Sequence, residues 1–180
     1  MIFVDLGAYN GDTVDQFVSW GQLLGDISNA KVYAFEPNPN YQAQWDDVRM
    51  RHIKHVQDIQ FINEAAWVDD GGLEFSLWHE SPIGSTVMPA KRNWYAGEIV
   101  GIKSFDFSAW LKQFKGEDIY IKLDVEGAEY PILKKMINDG TDKLCKLLMI
   151  EWHADKMGQK FKDDQKFIED NLKCDWIEWR

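Results

Sequence analysis

Three groups of residues in this chain have types and spacings that can do chemistry. The first is Asp5-Leu6-Gly7-Ala8-Tyr9-Asn10-Gly11-Asp12-Thr13, which follows an apolar start and leads into a helical pattern. A glycine turn between a strand and a helix brings a ligand against backbone N–H groups at the helix N-terminus. Gly7 tolerates positive φ, and neither Gly7 nor Gly11 carries a side chain to block close approach. Asp5 is expected to point a carboxylate into the same crevice from the strand's end. The second group is Glu36-Pro37-Asn38, where another apolar run stops. A carboxylate there can accept hydrogen bonds from both hydroxyls of a ribose, and Pro37 turns the chain sharply beside it. The third group is Asp124-Val125-Glu126, joined by Glu151 and His153 at the end of a later apolar run. Such groups can take the proton of a reacting hydroxyl, His153 because its ordinary pKa lies near neutrality.

These side chains need elements to hold them. Met1-Ile2-Phe3-Val4 opens a strand, and Val14, Phe17, Val18, Gly21 and Leu24 then share one helical face. Asp12 or Thr13 can cap that helix and Gly25 can end it. Lys31 to Glu36 reads as a second strand, Tyr41 to Arg51 as a helix, and Ile59 to Asn63 as a third strand. This β-α-β-α-β alternation predicts a parallel sheet with right-handed crossovers. Asp69-Asp70-Gly71-Gly72 is a turn, and the strand after it, Leu73 to Trp78, predicts an antiparallel extension. His79 to Gly97 lacks periodicity and reads as a long loop, of the length common in lids and binding loops. A short strand at Ile99 to Lys103 and a helix from Phe105 to Phe114 follow. The alternation resumes with a strand at Ile119 to Val125 and a helix whose first turn accommodates Pro131. A strand at Leu147 to Trp152, a helix near Lys162 to Leu172 and a strand at Asp175 to Trp179 complete a single domain.

Bulk properties narrow the partners. At 180 residues and 45 % hydrophobic, the chain can bury a substantial core. No apolar run approaches the ~20 residues of a membrane span, and the start lacks the flank of a signal peptide. A formal net charge of −10 opposes nucleic-acid binding, which needs a concentrated basic face. Two cysteines, Cys145 and Cys174, are too few for a disulfide framework or a zinc site. Cys145 reads as a small core residue, and a reducing, cytoplasmic setting fits best. An acidic protein of this kind is expected to act on small molecules.

The turn after the first strand lacks the G-x-G-x-x-G triplet of dinucleotide binders. An acidic turn without a phosphate cradle, together with Glu36, favours a ligand with a ribose and no pyrophosphate. S-adenosylmethionine has that description, and its ammonium group suits Asp5 or Asp124.

The blocks Phe3 to Thr13, Ala34 to Asn38, Asn63-Glu64-Ala65-Ala66-Trp67 and Ile121 to Glu129 occur in the order seen in FkbM-type methyltransferases, which the sequence resembles from about Phe3 to His153. Asp-Val-Glu-Gly-Ala-Glu is the most family-specific piece; the glycine turn and Glu-Pro are shared with many class I methyltransferases. The resemblance implies a Rossmann-like three-layer α/β sandwich, with a mostly parallel sheet and an antiparallel hairpin inserted after the third strand. It also implies S-adenosylmethionine as donor and O-methylation of a hydroxyl on a small molecule or saccharide. By position, Gly7 and Gly11 flank the methionine moiety, Glu36 holds the ribose, Asn63 or Glu64 lies beside the adenine, and Asp124 lies near donor and acceptor. The candidate donor set is then Asp5, Gly7, Ala8, Asn10, Gly11, Asp12, Thr13, Glu36, Pro37, Asn38, Asn63, Glu64, Ala65 and Asp124. The catalytic candidates are Asp124, Glu126 and His153. Members commonly carry sequence ahead of the first strand and end in an antiparallel strand pair, whereas one strand follows the last helix here. That leaves a second copy of the chain as a candidate to complete the acceptor site.

Plainer roles compete for the same residues. Glu126 and Glu129 suit the N-terminus of the following helix, and a lone histidine at a strand end is often structural. Asp124, Glu126, Glu151 and His153 have the donor atoms of a magnesium or manganese site. No local ligand spacing supports one, so no metal is expected. His79, Ser85 and Thr86 can touch the acceptor or sit on an ordinary exposed loop. Trp78 and Trp94 can wall the acceptor site, while Trp67 and Trp110 suit the core. The competing functions are a non-catalytic module that retains the donor pocket and a nicotinamide-dependent oxidoreductase on a similar sheet.

Overall fold

The computed structural model describes residues 1–79, 84–91, 94 and 97–179, with Leu24 described for its backbone alone. Six strands form one parallel sheet: β1 (Ile2–Leu6), β2 (Lys31–Phe35), β3 (Asp58–Ile62), β7 (Ile119–Leu123), β8 (Cys145–Ile150) and β9 (Asp175–Glu178). Their spatial order is β3-β2-β1-β7-β8-β9, so the order reverses between β1 and β7. Open α/β sheets bind ligands outside the carboxyl ends of their strands at such a reversal. All five residues of β1 are buried, as expected of a central strand covered on both faces.

Alternation along the strands sorts the core into two layers. Ile2, Val4 and Leu6 of β1 join Ile119, Ile121 and Leu123 of β7 in one cluster with Ile132, Leu133 and Met136 of α4 (Glu129–Asp139). Phe3, Val32 and Ala34 face the other way, against Val14 and Val18 of α1 (Asp12–Leu24) and Val48 of α2 (Gln42–His52). The α1 apolar face therefore packs as its spacing predicts. Its cap differs: neither Asp12 nor Thr13 caps it, and Gly11 occupies the N-cap in the left-handed region (φ 93°). Gly11 has no side chain to accept from the first helical N–H groups, and Asn10 Oδ1 accepts from Asp12 N at 3.1 Å.

The insertion differs in detail from its expectation. β5 (Gly71–Leu77) pairs antiparallel with β6 (Glu98–Asp106), so the expected extension forms. It belongs to a separate three-stranded sheet, in which β4 (Ala65–Trp67) lies parallel to β6. β6 runs nine residues instead of five, because its whole length finds partners on β5 and β4. Asp106 ends it by capping α3 (Phe107–Leu111) through Ala109 N. Trp110 and Trp67 pack against the core as expected, and Cys145 is buried at the start of β8. After β8 come α5 (Ala154–Met157) and α6 (Gln159–Asn171). The final strand β9 pairs parallel to β8, Leu147 opposite Asp175.

Of the expected loop 79–97, residues 80–83, 92–93 and 95–96 lie outside the described residues. Thr86 bridges to Ser76 of β5, and Ser76 Oγ donates to the Trp94 carbonyl at 2.6 Å. His79 turns away from the sheet reversal and pairs with Glu98 at 3.1 Å.

Candidate active site

A cavity of about 390 Å³ opens where the strand order reverses, a size suited to a small-molecule or cofactor site. Its floor is the β1–α1 turn. Gly7 has φ +80°, and a Cβ there would stand 1.8 Å from the Asp124 carbonyl oxygen. Glycine is required because the β7–α4 turn presses against this backbone. The Gly7 and Ala8 N–H groups donate to the Phe35 carbonyl at 3.0 Å, tying the turn to the end of β2. Tyr9 takes positive φ (48°), and Trp45 Nε1 donates to its carbonyl at 2.7 Å. The tyrosine ring meets Tyr41 edge-on at 4.6 Å.

Glu36 rises from the end of β2 into this cavity. Its Oε2 accepts from Tyr9 N at 3.1 Å and its Oε1 from Asn38 N at 2.9 Å. Burial pushes the carboxyl up to about 7, although the two backbone N–H groups favour its charged form. Each oxygen keeps a second lone pair, so the side chain is fixed in direction and still able to accept.

Ten of the expected donor-site residues line the cavity: Gly7, Ala8, Asn10, Asp12, Thr13, Glu36, Pro37, Glu64, Ala65 and Asp124. Four do not. Gly11 faces the other way, where a Cβ would meet Val48 and Phe61 at 3.2 and 3.3 Å. Asn38 is buried as a cap, its Oδ1 accepting from Asn40 N. Asn63 donates to the Glu36 carbonyl at 2.8 Å and so braces Glu36 from behind. Asp5 is the larger correction. It is fully buried on the face opposite Val4 and Leu6, and points no charge into the crevice.

What the sequence reading missed is Lys122. It stands directly across from Asp5 in the β1–β7 register. Its Nζ lies 3.3 Å from Asp5 Oδ1 and 3.3 Å from Asp124 Oδ2, and donates to the Gly7 carbonyl at 2.9 Å. Burial disfavours its charge, but Asp5 and Asp124 outweigh that and raise its pKa. For Asp5, burial wins over Lys122 and the carboxyl is raised. A lysine inside a buried parallel strand was the available signal, since lysine is rarely buried unless paired.

The opposite wall carries the catalytic candidates. β7 stops at Leu123, so Asp124 and Glu126 do not continue an extended strand as expected. A turn with Glu126 at φ 53° brings both to the cavity instead. A non-glycine residue in this region is strained, and such strain gathers at functional sites. Lys91 Nζ pairs with Glu126 and donates to the Gly84 carbonyl at 2.9 Å, while Thr86 Oγ1 donates to the Glu126 carbonyl at 2.8 Å. Ser85, Thr86 and Val87 line the cavity together with Glu126, so this part of the 79–97 segment forms part of its wall.

His153 lies behind that wall, 1 % exposed. Fully buried Glu129 accepts from its Nδ1 at 3.1 Å, and also from His153 N at 3.1 Å and Gly127 N at 2.9 Å. Glu129 thus serves both the start of α4 and the imidazole. The ring's Nε2 is directed at Glu126 Oε2 (3.4 Å), Glu151 Oε1 (3.5 Å) and Asp124 Oδ1 (3.8 Å). Burial opposes charge on the ring, yet Glu129 and Glu126 raise its pKa overall. Burial, reinforced by Asp124, raises the Glu151 carboxyl. Residues distant in sequence therefore meet in one charged cluster beside a neutral, backbone-lined turn.

Residues 5–175 match the family profile described as Methyltransferase FkbM domain. No curated protein matches the chain. Among solved structures, the fold is similar to the crystal structure of methyltransferase FkbM from Methylobacillus flagellatus KT, with a TM-score of 0.57 and 16 % identity. That likeness covers 94 % of this chain and 36 % of the other, so this chain spans about a third of its neighbour's length. No described helix is long and apolar enough to cross a membrane.

Proposed function

The chain belongs to the FkbM methyltransferase family, and on that premise we propose that it transfers a methyl group from S-adenosylmethionine to a hydroxyl of a small molecule or saccharide. The observation that carries this reading is Glu36, a carboxylate held by two backbone N–H groups with acceptor capacity turned into the cavity. Ribose hydroxyls are its natural partners. The turn below also lines the cavity, and Gly7 there lets the β1–α1 and β7–α4 turns touch, since a Cβ would strike the Asp124 carbonyl. Glu36 would hold the ribose, Gly7 and Ala8 the methionine portion, and Glu64 and Ala65 the base. Asp124 stands on the donor side of the charged wall and suits an ammonium group.

S-adenosylmethionine supplies an electrophilic methyl group when bound. The chain's own residues have three tasks: to align the acceptor, to exclude water and to accept its hydroxyl proton. Ser85, Thr86 and Val87 cover the cavity and reduce access of water. Asp124, Glu126 and Glu151 line it and can take the proton, Glu151 favoured by its raised pKa. His153 stands behind them, its direction set by Glu129, and shares or relays that charge. A reducing, cytoplasmic setting suits the free thiols of Cys145 and Cys174.

The test is transfer of isotopically labelled methyl from the donor to a panel of hydroxylated small molecules and saccharides. Incorporation that vanishes in Asp124→Asn is the expected result. Donor binding without transfer to any acceptor would favour the non-catalytic module, and binding of a nicotinamide cofactor in its place would favour an oxidoreductase.

A further inference from the structure

The charged wall holds a feature that methyl transfer alone does not require. His153 is 1 % exposed, and its Nε2 makes no hydrogen bond among the described residues. A buried nitrogen left unpaired is costly. It is also not free to turn away, because Glu129 holds Nδ1. Glu126, Glu151 and Asp124 surround Nε2 at 3.4, 3.5 and 3.8 Å, too far for good hydrogen bonds. One ligand atom each from Asp124, Glu126 and His153 lie within 4.8 Å of one another.

We propose that Asp124, Glu126 and His153, completed by Glu151, bind a divalent cation of the magnesium or manganese class. Two ligands each ~2.1 Å from a common ion stand roughly 3.0–3.5 Å apart at octahedral to tetrahedral angles. The observed separations therefore ask for small side-chain adjustments. Carboxylate oxygens with one imidazole suit these metals, and neither cysteine belongs to the cluster. Glu129 is the partner that such a site needs behind its histidine, a carboxylate that orients the ring and leaves the far nitrogen to the metal. Asp124 divides its oxygens, with Oδ2 toward Lys122 and Oδ1 toward His153.

Charge balance points the same way. With His153 neutral, the carboxylates of Asp5, Asp124, Glu126, Glu129 and Glu151 face the ammonium groups of Lys91, Lys122 and Lys156. Carboxylates outnumber ammonium groups in this cluster, an imbalance that a bound cation offsets. Lys91 bonds Glu126, so it competes with the ion for that carboxylate. Thr86 of the same segment lines the cavity and bonds the Glu126 carbonyl. The consequence for chemistry rests on the methyltransferase reading: an ion at this wall would bind the acceptor oxygen and ease loss of its proton.

The experiment is titration of the purified protein with Mn²⁺ alone, followed by loss of the free-ion electron paramagnetic resonance signal. One saturable site is expected. Asp124→Asn and His153→Ala should each weaken it ~10-fold or more, and Glu129→Gln by ~10–100-fold through the ring's orientation. Lys91→Ala should tighten it, a result that a cluster serving structure alone does not give. A circular-dichroism melt of every variant reports that each is folded, and S-adenosylhomocysteine binding is measured on the wild type by calorimetry. Should His153→Ala not fold, Asp124→Asn and Lys91→Ala decide the matter. No binding by wild type at about 1 mM Mn²⁺, or equal binding in wild type, Asp124→Asn and Lys91→Ala, would overturn the proposal. Mn²⁺ binding without S-adenosylhomocysteine binding would instead defeat the donor assignment and leave the ion site standing.

Discussion

The two turns that leave neighbouring strands at the sheet's reversal are built alike and furnished differently. Each follows a central strand, β1 or β7, and each contains a left-handed glycine and a non-glycine residue forced to positive φ: Gly7 and Tyr9 in one, Gly127 and Glu126 in the other. The first presents backbone, and beside it stands Glu36 from the end of β2, whose partners are main-chain N–H groups. The second presents Asp124 and Glu126, backed by His153 and balanced by lysines. Fixed backbone dipoles suit the recognition of one neutral or zwitterionic ligand in one pose. Titratable side chains suit the movement of a proton or the holding of an ion. The proposed division into donor and acceptor halves rests on that contrast.

Lys122 joins the two turns, so its removal should break the comparison at the root. Lys122→Met leaves Asp5 buried without its cation, and uncompensated buried charges cost about 3–5 kcal/mol. Urea denaturation should show a loss of that order, with part recovered in Asp5→Asn/Lys122→Met. Full stability in the single variant would mean that Lys122 does not tie the turns together.

Glu126→Gln should separate the halves. The methyl-transfer rate should fall by roughly 100-fold while affinity for S-adenosylhomocysteine stays within about threefold. Equal losses in rate and affinity would merge the two turns into one site and sink the division.

A smaller effect comes from pH. The folded chain holds the Glu36 proton up to about 7, whereas an unfolded chain releases it near the ordinary value of 4.5. Stability should therefore fall as pH rises from about 4.5 to about 7, by on the order of 3 kcal/mol relative to Glu36→Gln. Donor affinity should move the opposite way, rising a few-fold between about pH 6 and about pH 8 as the carboxylate forms. Glu36→Gln should flatten both profiles; a wild-type slope that survives the substitution belongs to another group.

The sheet was legible because each central strand is a short apolar run followed by a turn signal, and the run-to-helix alternation admits few topologies. Glu36 and Asp124 were legible for a related reason: each stands at a strand's carboxyl end, the position that faces the crevice. Asp5 lies one residue before the end of its strand, so the pleat turns it inward to Lys122 instead. Asp124 and Glu126 reach the cavity, but through a strained turn that strand alternation does not describe. The His153–Glu129 pair joins residues 24 positions apart on different elements, and no local spacing encodes it. Nor does the chain announce that β4 to β6 make a sheet of their own, since an antiparallel hairpin reads the same whichever sheet it joins.

The most direct measurement is a calorimetric titration with S-adenosylhomocysteine of the wild-type chain and Glu36→Ala side by side. Loss of hydrogen bonds to a charged acceptor should weaken binding by about 100-fold, from saturable one-to-one binding in the wild type. No binding by the wild type, or equal affinity in the two proteins, would contradict the donor site described at Glu36.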